Sequence, residues 1–371
     1  MKRSLFFVLT VAVLATASVV AGPVIKKSVV GTPTLGRIDV LSFAPGGVLL
    51  IGDGAKGQIV AVETGDKRPA GGVSEIKAFN RQLALLLGAP ADGVELIDMA
   101  VNPVSGRLYV AARKQRGKDH LIVTVDGTGT IALFALENVQ HAVVPLPAGE
   151  KSPVNRITDV AWAGDRLIAA ARCSEEFASK IFSTSGALEH GSAGQLFSAE
   201  TYHVSHRKWE TKAPMSVLIP YQENGRTYVV GAFSCTPVVK YPIDDLKPGA
   251  KVKGISMIEL GSGNRPLDMF AYQKDGKTSV LANTFRFHHE KRPFGPSPYW
   301  SVRFDQDLLA DQAKVNETAT RRLAGTKPAT KAIEMVAPFH GVVQMDRLND
   351  KSAIALREAG KDLDLVVIDL P

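Results

Sequence analysis

The sequence predicts an all-β fold, a six-bladed β-propeller carrying one helix between blades one and two. Three observations lead there. A unit made of a short apolar strand led by Asp, a tight turn and a second apolar strand recurs along the chain, as in "LIDMAVNPVSGRLYVAARK", "ITDVAWAGDRLIAAARC" and "PLDMFAYQKDGKTSVLANTF". Anchors on the first strand at Asp39, Asp98, Asp159, Ser216, Asp268 and Val342 are spaced by 59, 61, 57, 52 and 74 residues, enough for a four-stranded blade each. Finally, one stretch interrupts this plan with the 3.6-residue apolar period of a helix, and the charged stretch before the last unit reads as a solvated loop or short helix.

The chain opens with "MKRSLFFVLTVAVLATASVVAG". Lys2 and Arg3 form a basic start, Leu5 to Val20 is an apolar run, and Val19-Val20-Ala21 offers the small residues a signal peptidase needs. Residues 1–21 read as a signal peptide, with a retained anchor as the alternative, and residues 22–371 as one propeller domain. Removal of the leader leaves no apolar run long enough to span a bilayer, and the mature protein is expected to be periplasmic or secreted. The formal net charge of +7 falls to +5 without Lys2 and Arg3, a mildly basic balance that fits an anionic ligand or surface.

The first unit, "RIDVLSFAPGGVLLIGDGAKGQIVAVETGD", shows three strands. The helix follows in "SEIKAFNRQLALLLG", with an apolar face through Phe79, Leu83, Leu86 and Leu87 and Gly88 as its C-cap. Two degenerate copies, "PMSVLIPYQENGRTYVVGAFSC" and "HGVVQMDRLNDKSAIALRE", complete the set of six. The charged stretch "DQAKVNETATRRLAGTKPATK" accounts for the longest spacing. The strand "LDLVVIDLP" is expected to close the ring by pairing with an N-terminal strand such as "KKSVVG". A solenoid would need polar caps that the ends lack, and a β-sandwich would not explain six copies.

Turns joining strands one and two, such as "PVSGR" and "QKDGK", are short and built for hairpins. The turns between strands two and three, with the crossings between blades, are longer and richer in chemistry, so a site is expected on that face at the channel mouth. Four residues there form a candidate ligand set for a divalent metal, namely His203, His206, Glu210 and Cys235, because imidazole, carboxylate and thiolate suit zinc or copper. The alternative is a crossing loop whose histidines satisfy backbone groups. The repeat Asn-Arg-x-x-Asp at 155 and 264 brings Asn155, Arg156, Asn264 and Arg265 towards the mouth, with His340 from a third blade, a pattern able to bind carboxylate or phosphate or to brace the ring. A basic rim of Arg113, Lys114, Arg116, Lys118, Arg286, His288, His289, Lys291 and Arg292 is interleaved with Phe285, Phe287, Phe294, Tyr299 and Trp300. It matches no nucleic-acid module, so no nucleic-acid partner is expected. Cys173 and Cys235 end equivalent strands of neighbouring blades and form a disulfide only if both lie near the axis; otherwise they are thiols. Nucleophile-elbow, P-loop and dinucleotide signatures do not occur in a fitting context, and no Cys-x-x-Cys-His marks a c-type haem.

The chain resembles secreted bacterial six-bladed propellers of the NHL, gluconolactonase-like and quinoprotein-dehydrogenase-like groups. Through "DMAVNP", "EEFAS", "HVSHRKWETKAP", "CTPVVKYPIDDLKPG" and "NRPLDM" it is most similar to a family of exported bacterial propellers to which no activity is attached. The gluconolactonase-like resemblance implies a divalent metal in the channel held by Glu, Asn and Asp, for which Glu210, Asn155, Asn264 and an anchor Asp are the residue types present. The quinoprotein-like resemblance implies an organic cofactor or a modified-Trp partner. The leading expectation is a monomeric binding module taking a small anionic ligand or a protein partner on the loop-rich face. The alternatives are a metal-dependent hydrolase or lactonase at the same mouth and a structural envelope protein.

Overall fold

The structure, a computed structural model, describes residues 22–371 except 116–119, 245, 248, 249, 262, 294, 311–319, 322, 325, 326 and 329–332. Residues 1–21, expected from the sequence to be a signal peptide, and Arg116, Lys118, Phe294 and most of the charged stretch before blade six therefore lie outside the described residues. The chain forms six antiparallel blades around an axis, as the repeat spacing predicts. Each begins with a strand at the channel: Val40–Ala44, Val94–Val101, Val154–Ala163, Met215–Glu223, Asn264–Lys274 and Val342–Arg347. The helix Phe79–Leu86 lies between the first two units and buries Phe79, Leu83 and Ala84. No helix among the described residues is long and apolar enough to cross a membrane.

The blades do not follow one another around the ring in sequence order. The channel strand of blade one lies against those of blades two and three, and blade six lies against blade two. The ring therefore runs one, three, four, five, six, two. The chain lays down three strands of blade one (Val40–Ala44, Val48–Asp53, Gln58–Glu63), leaves to build blade two, and returns with Val139–Pro145 to complete blade one. On its way out it closes the circle. Ile76 forms an antiparallel bridge with Leu365 of blade six, with both backbone bonds at 2.9 Å. Asp364 accepts from Ala78 N–H at 2.8 Å and Asn80 Oδ1 accepts from Leu363 N–H at 2.8 Å. The expected closure is thus corrected: "LDLVVIDLP" pairs with the segment after blade one, while Val29–Gly31 of "KKSVVG" edges blade one outside Val139–Pro145.

Both faces of a blade are covered by its neighbours, so the inner strands are mostly apolar. All six residues of Val48–Asp53 are buried. Burying one aliphatic side chain fully contributes about 1.5–3 kcal/mol. The packing clusters map onto the junctions of the ring. Leu49, Val60 and Ile51 meet Tyr109 and Ile122 between blades one and two. Leu50 and Ala61 meet Ile157 and Leu167 between blades one and three. Val110 and Leu108 meet Ile354 and Leu365 between blades two and six, where Phe79 and Leu83 of the helix join them.

Near the axis, the anchor aspartates bond one blade to the next. Asp98 accepts from Leu41 N–H at 2.6 Å, Asp39 from Ile157 N–H at 3.1 Å, Asp159 from Leu218 N–H at 2.7 Å, Asp268 from Met345 N–H at 2.9 Å and Asp346 from Val101 N–H at 2.7 Å. Following these bonds from blade to blade retraces the ring order. Blade four has Ser216 at the anchor, and its hydroxyl lies 3.1 Å from Ser234 Oγ. The junction of blades four and five has no such carboxylate link among the described residues.

Candidate functional site

A cavity of about 630 Å³ runs along the axis. The channel strands run from the loop-rich face to the face of plain turns. Phe43, Ala161, Pro220 and Phe270, late in those strands, line its far end. Arg156, Arg172, Ser234, Arg265, Phe285, Phe287 and Tyr299 line the loop-rich mouth. Arg156 and Arg172 are direct cross-strand partners in blade three, and Arg265 approaches from blade five. Burial lowers the Arg265 pKa, and the Arg156 charge lowers it further. None of the three guanidinium groups has an ion pair or hydrogen bond among the described residues. The aromatic wall is continuous: ring centroids lie 5.0 Å apart for Phe285 and Tyr299 and 5.5 Å for Phe285 and Phe287. Phe287 is 54% exposed at the rim.

The acidic residues lining this cavity do not balance the arginines. Asp39 is engaged by Arg37, whose Nε lies 2.6 Å from its carboxylate. Asp98, Asp159, Asp268 and Asp346 face the cavity but are otherwise enclosed by protein, and burial raises the pKa of each, to about 7 for Asp159 and about 6 for Asp346. Asp98 and Asp268 also repel one another's charge, which raises Asp98 further. A raised pKa reduces, without abolishing, the negative charge these carboxyls carry near neutral pH.

A second cluster sits beside the mouth, between blades three and four. His203 ends the strand Gln195–His203, His206 lies in the turn that follows, and Cys235 is in the turn after Arg226–Phe233. One ligand atom from each falls within 4.8 Å of the others, with His203 buried, Cys235 half-buried and His206 exposed. The two imidazoles are in contact, with centroids 3.8 Å apart. Glu259 approaches from the outer strand of blade four, its Oε2 3.3 Å from His203 Nε2. The carboxylate is fixed by Thr236 Oγ1–H at 3.0 Å and Ser205 N–H at 3.2 Å. Burial works to lower the His203 pKa, but the proximity of Cys235 and Glu259 outweighs it and brings the group to about 9. Burial and the charge of His203 lower His206.

No family model matches the chain, and no curated protein is significantly similar to it. Among solved structures it is similar to a chain of a mitotic checkpoint complex (9% identity, 100% of this chain and 99% of that one, TM-score 0.39). It is also similar to the extracellular domains 1–2 of Drosophila Semaphorin 1a (11% identity, 94% and 89%, TM-score 0.39). Raptor of Chaetomium thermophilum is similar at 11% identity over 93% of this chain and 25% of that one, with a TM-score of 0.33. At these scores the similarities carry no argument about function.

Glu210 does not line the channel but stays beside the histidine–cysteine cluster: burial works to raise its pKa, but the Ala213 and Lys212 N–H groups, both at 2.9 Å from Oε1, a hydrogen bond with Cys235 and the His203 charge lower it. The remaining sequence candidates are dispersed. Asn264 is buried and donates to Leu260 and Gly261 carbonyls at 3.1 and 2.9 Å, while Asn155 is exposed and donates to Ser174 Oγ at 2.7 Å. The Glu–Asn–Asn–Asp set implied by the gluconolactonase-like resemblance is therefore not brought together. His340 packs against Gly295, away from the lining of the cavity. On the rim, Arg113 pairs with Glu95, and Lys114, Lys291 and Arg292 are exposed. Trp300 is fully buried in the core of blade five. Both cysteines are free thiols. Sequence reasoning missed Arg172 and Glu259. The first was legible only once the hairpin register paired it with Arg156; the second sits in an outer strand with no motif around it.

Proposed function

We propose that the chain is an exported binding module that takes a small anion, of the carboxylate or phosphate class, at the loop-rich mouth of its channel. One observation carries this reading. Arg156 and Arg172 stand directly opposite each other, Arg265 lies within the field of Arg156, and the acids of the same cavity are either already paired or have their pKa raised by burial. Like charges opposite one another in an antiparallel pair destabilise it. An anion held bidentately by guanidinium groups removes that repulsion. The wall of Phe285, Phe287 and Tyr299 suits a ligand with an apolar or aromatic body beside its anionic group. Export rests on the basic start at Lys2 and Arg3 and the apolar run that follows.

The test is isothermal titration of the full mature chain with inorganic phosphate and with benzoate, beside Arg265→Gln. Saturable binding that weakens in the variant and at high salt is expected. Absence of binding by both probes, or equal binding by the variant, would overturn the proposal.

A further inference from the structure

We propose that His203, His206 and Cys235 form a zinc-class metal site at the junction of blades three and four, with Glu259 holding His203 in position. This site is separate from the anion-binding mouth and does not depend on it. Two imidazoles and a thiol meet within 4.8 Å, close enough for side-chain rotation to bring them onto one cation. Nitrogen and sulfur donors favour zinc over magnesium or calcium. Protein ligands in this number leave a coordination position for water or a further ligand, and the exposed His206 gives a cation access from solvent.

Two further observations point the same way. His203 is 1% exposed, yet neither of its ring nitrogens has a hydrogen-bond partner, which is unusual for buried polar atoms. Its Nε2 faces Glu259 at 3.3 Å. A carboxylate on one ring nitrogen, leaving the other for metal, is the usual outer support of a histidine ligand. In addition, Thr236, between Cys235 and Pro237, has φ of 93°, a strained conformation for a β-branched residue. Its hydroxyl is bonded to Glu259, so the strained turn presents the thiol and steadies the carboxylate together. On binding, the thiol releases its proton and the thiolate sulfur forms the bond to the cation. His203 keeps the Nε2 proton towards Glu259 and ligates through Nδ1.

Titration of the full mature chain, freed of metal by dialysis against chelator, with Co²⁺ tests the site directly. An intense near-ultraviolet thiolate-to-cobalt band saturating at one equivalent, reversed by added Zn²⁺, is expected. Cys235→Ser should lose the band, and Glu259→Gln should retain it while binding Co²⁺ about 10- to 100-fold more weakly. The wild-type titration is decisive even if a variant folds poorly. Absence of a thiolate band in the wild-type protein would overturn the proposal, as would an undiminished band in folded Cys235→Ser.

Discussion

Arg156 stands directly across from Arg172 in the first hairpin of blade three, two positive groups in register at the mouth of the channel. Nothing in the described residues neutralises them, so the arrangement disfavours the empty protein and favours an anion-bound one. Replacing Arg172 with Gln should raise the melting temperature of the free protein while weakening phosphate binding. A hydrogen bond to a charged group is worth about 1.5–3 kcal/mol, so the loss in affinity should be ~10- to 100-fold. Calorimetry of the free and phosphate-saturated variant reads both effects; a fall in both quantities would mean that Arg172 is structural.

The aspartate links should matter through their acceptor oxygens. Asp159→Ala leaves Leu218 N–H without its partner and should cost about 1–3 kcal/mol. Asp159→Asn keeps an oxygen there and should cost less. Denaturant unfolding of the two variants distinguishes them, and equal losses would argue against the link.

The same carboxyls set a pH dependence. Burial raises the native pKa of Asp98, Asp159, Asp268 and Asp346 above the value in the unfolded chain, to about 7 for Asp159 and about 6 for Asp346. Their contribution is therefore fully present below the unfolded pKa of about 4 and is lost as pH rises through the native values. Melting temperature should fall between pH 5.5 and pH 8, and Asp159→Asn should flatten the slope. An unchanged slope in that variant would show that Asp159 does not titrate in this window.

Ring closure depends on Ile76 and Leu365. Proline at position 76 removes the N–H that bonds the Leu365 carbonyl, and leaving that acceptor unpaired costs about 1–3 kcal/mol. Hydrogen exchange should show the amides of Asp362–Asp369 opening first in Ile76→Pro. If exchange instead accelerates evenly over all blades, closure is not a separate unit.

Gly54 is a steric requirement of the mouth. A Cβ there would meet Arg156 Cα and Asp39 Oδ2, each at 2.4 Å. Gly54→Ala should therefore push blades one and three apart and weaken phosphate binding together with stability. Retention of both at wild-type values would show that the loop relaxes freely.

The sequence by itself determined the propeller. Alternating polar turns and apolar strands at intervals of 52 to 74 residues can be buried on both faces only by stacking blade on blade. It also singled out Arg156, Arg265, His203, His206 and Cys235, because residue type and loop position carry chemistry. Only the tertiary structure decided the order of the blades. Every unit presents similar apolar faces, so the local pattern does not distinguish neighbour in sequence from neighbour in space, and the choice lies in the long-range pairing of Ile76 with Leu365 and of Val139–Pro145 with Gln58–Glu63. The same reason hid Glu259 and Arg172. Each acquires its role from a residue on another strand, His203 in one case and Arg156 in the other, and strand register is settled by packing of the whole ring.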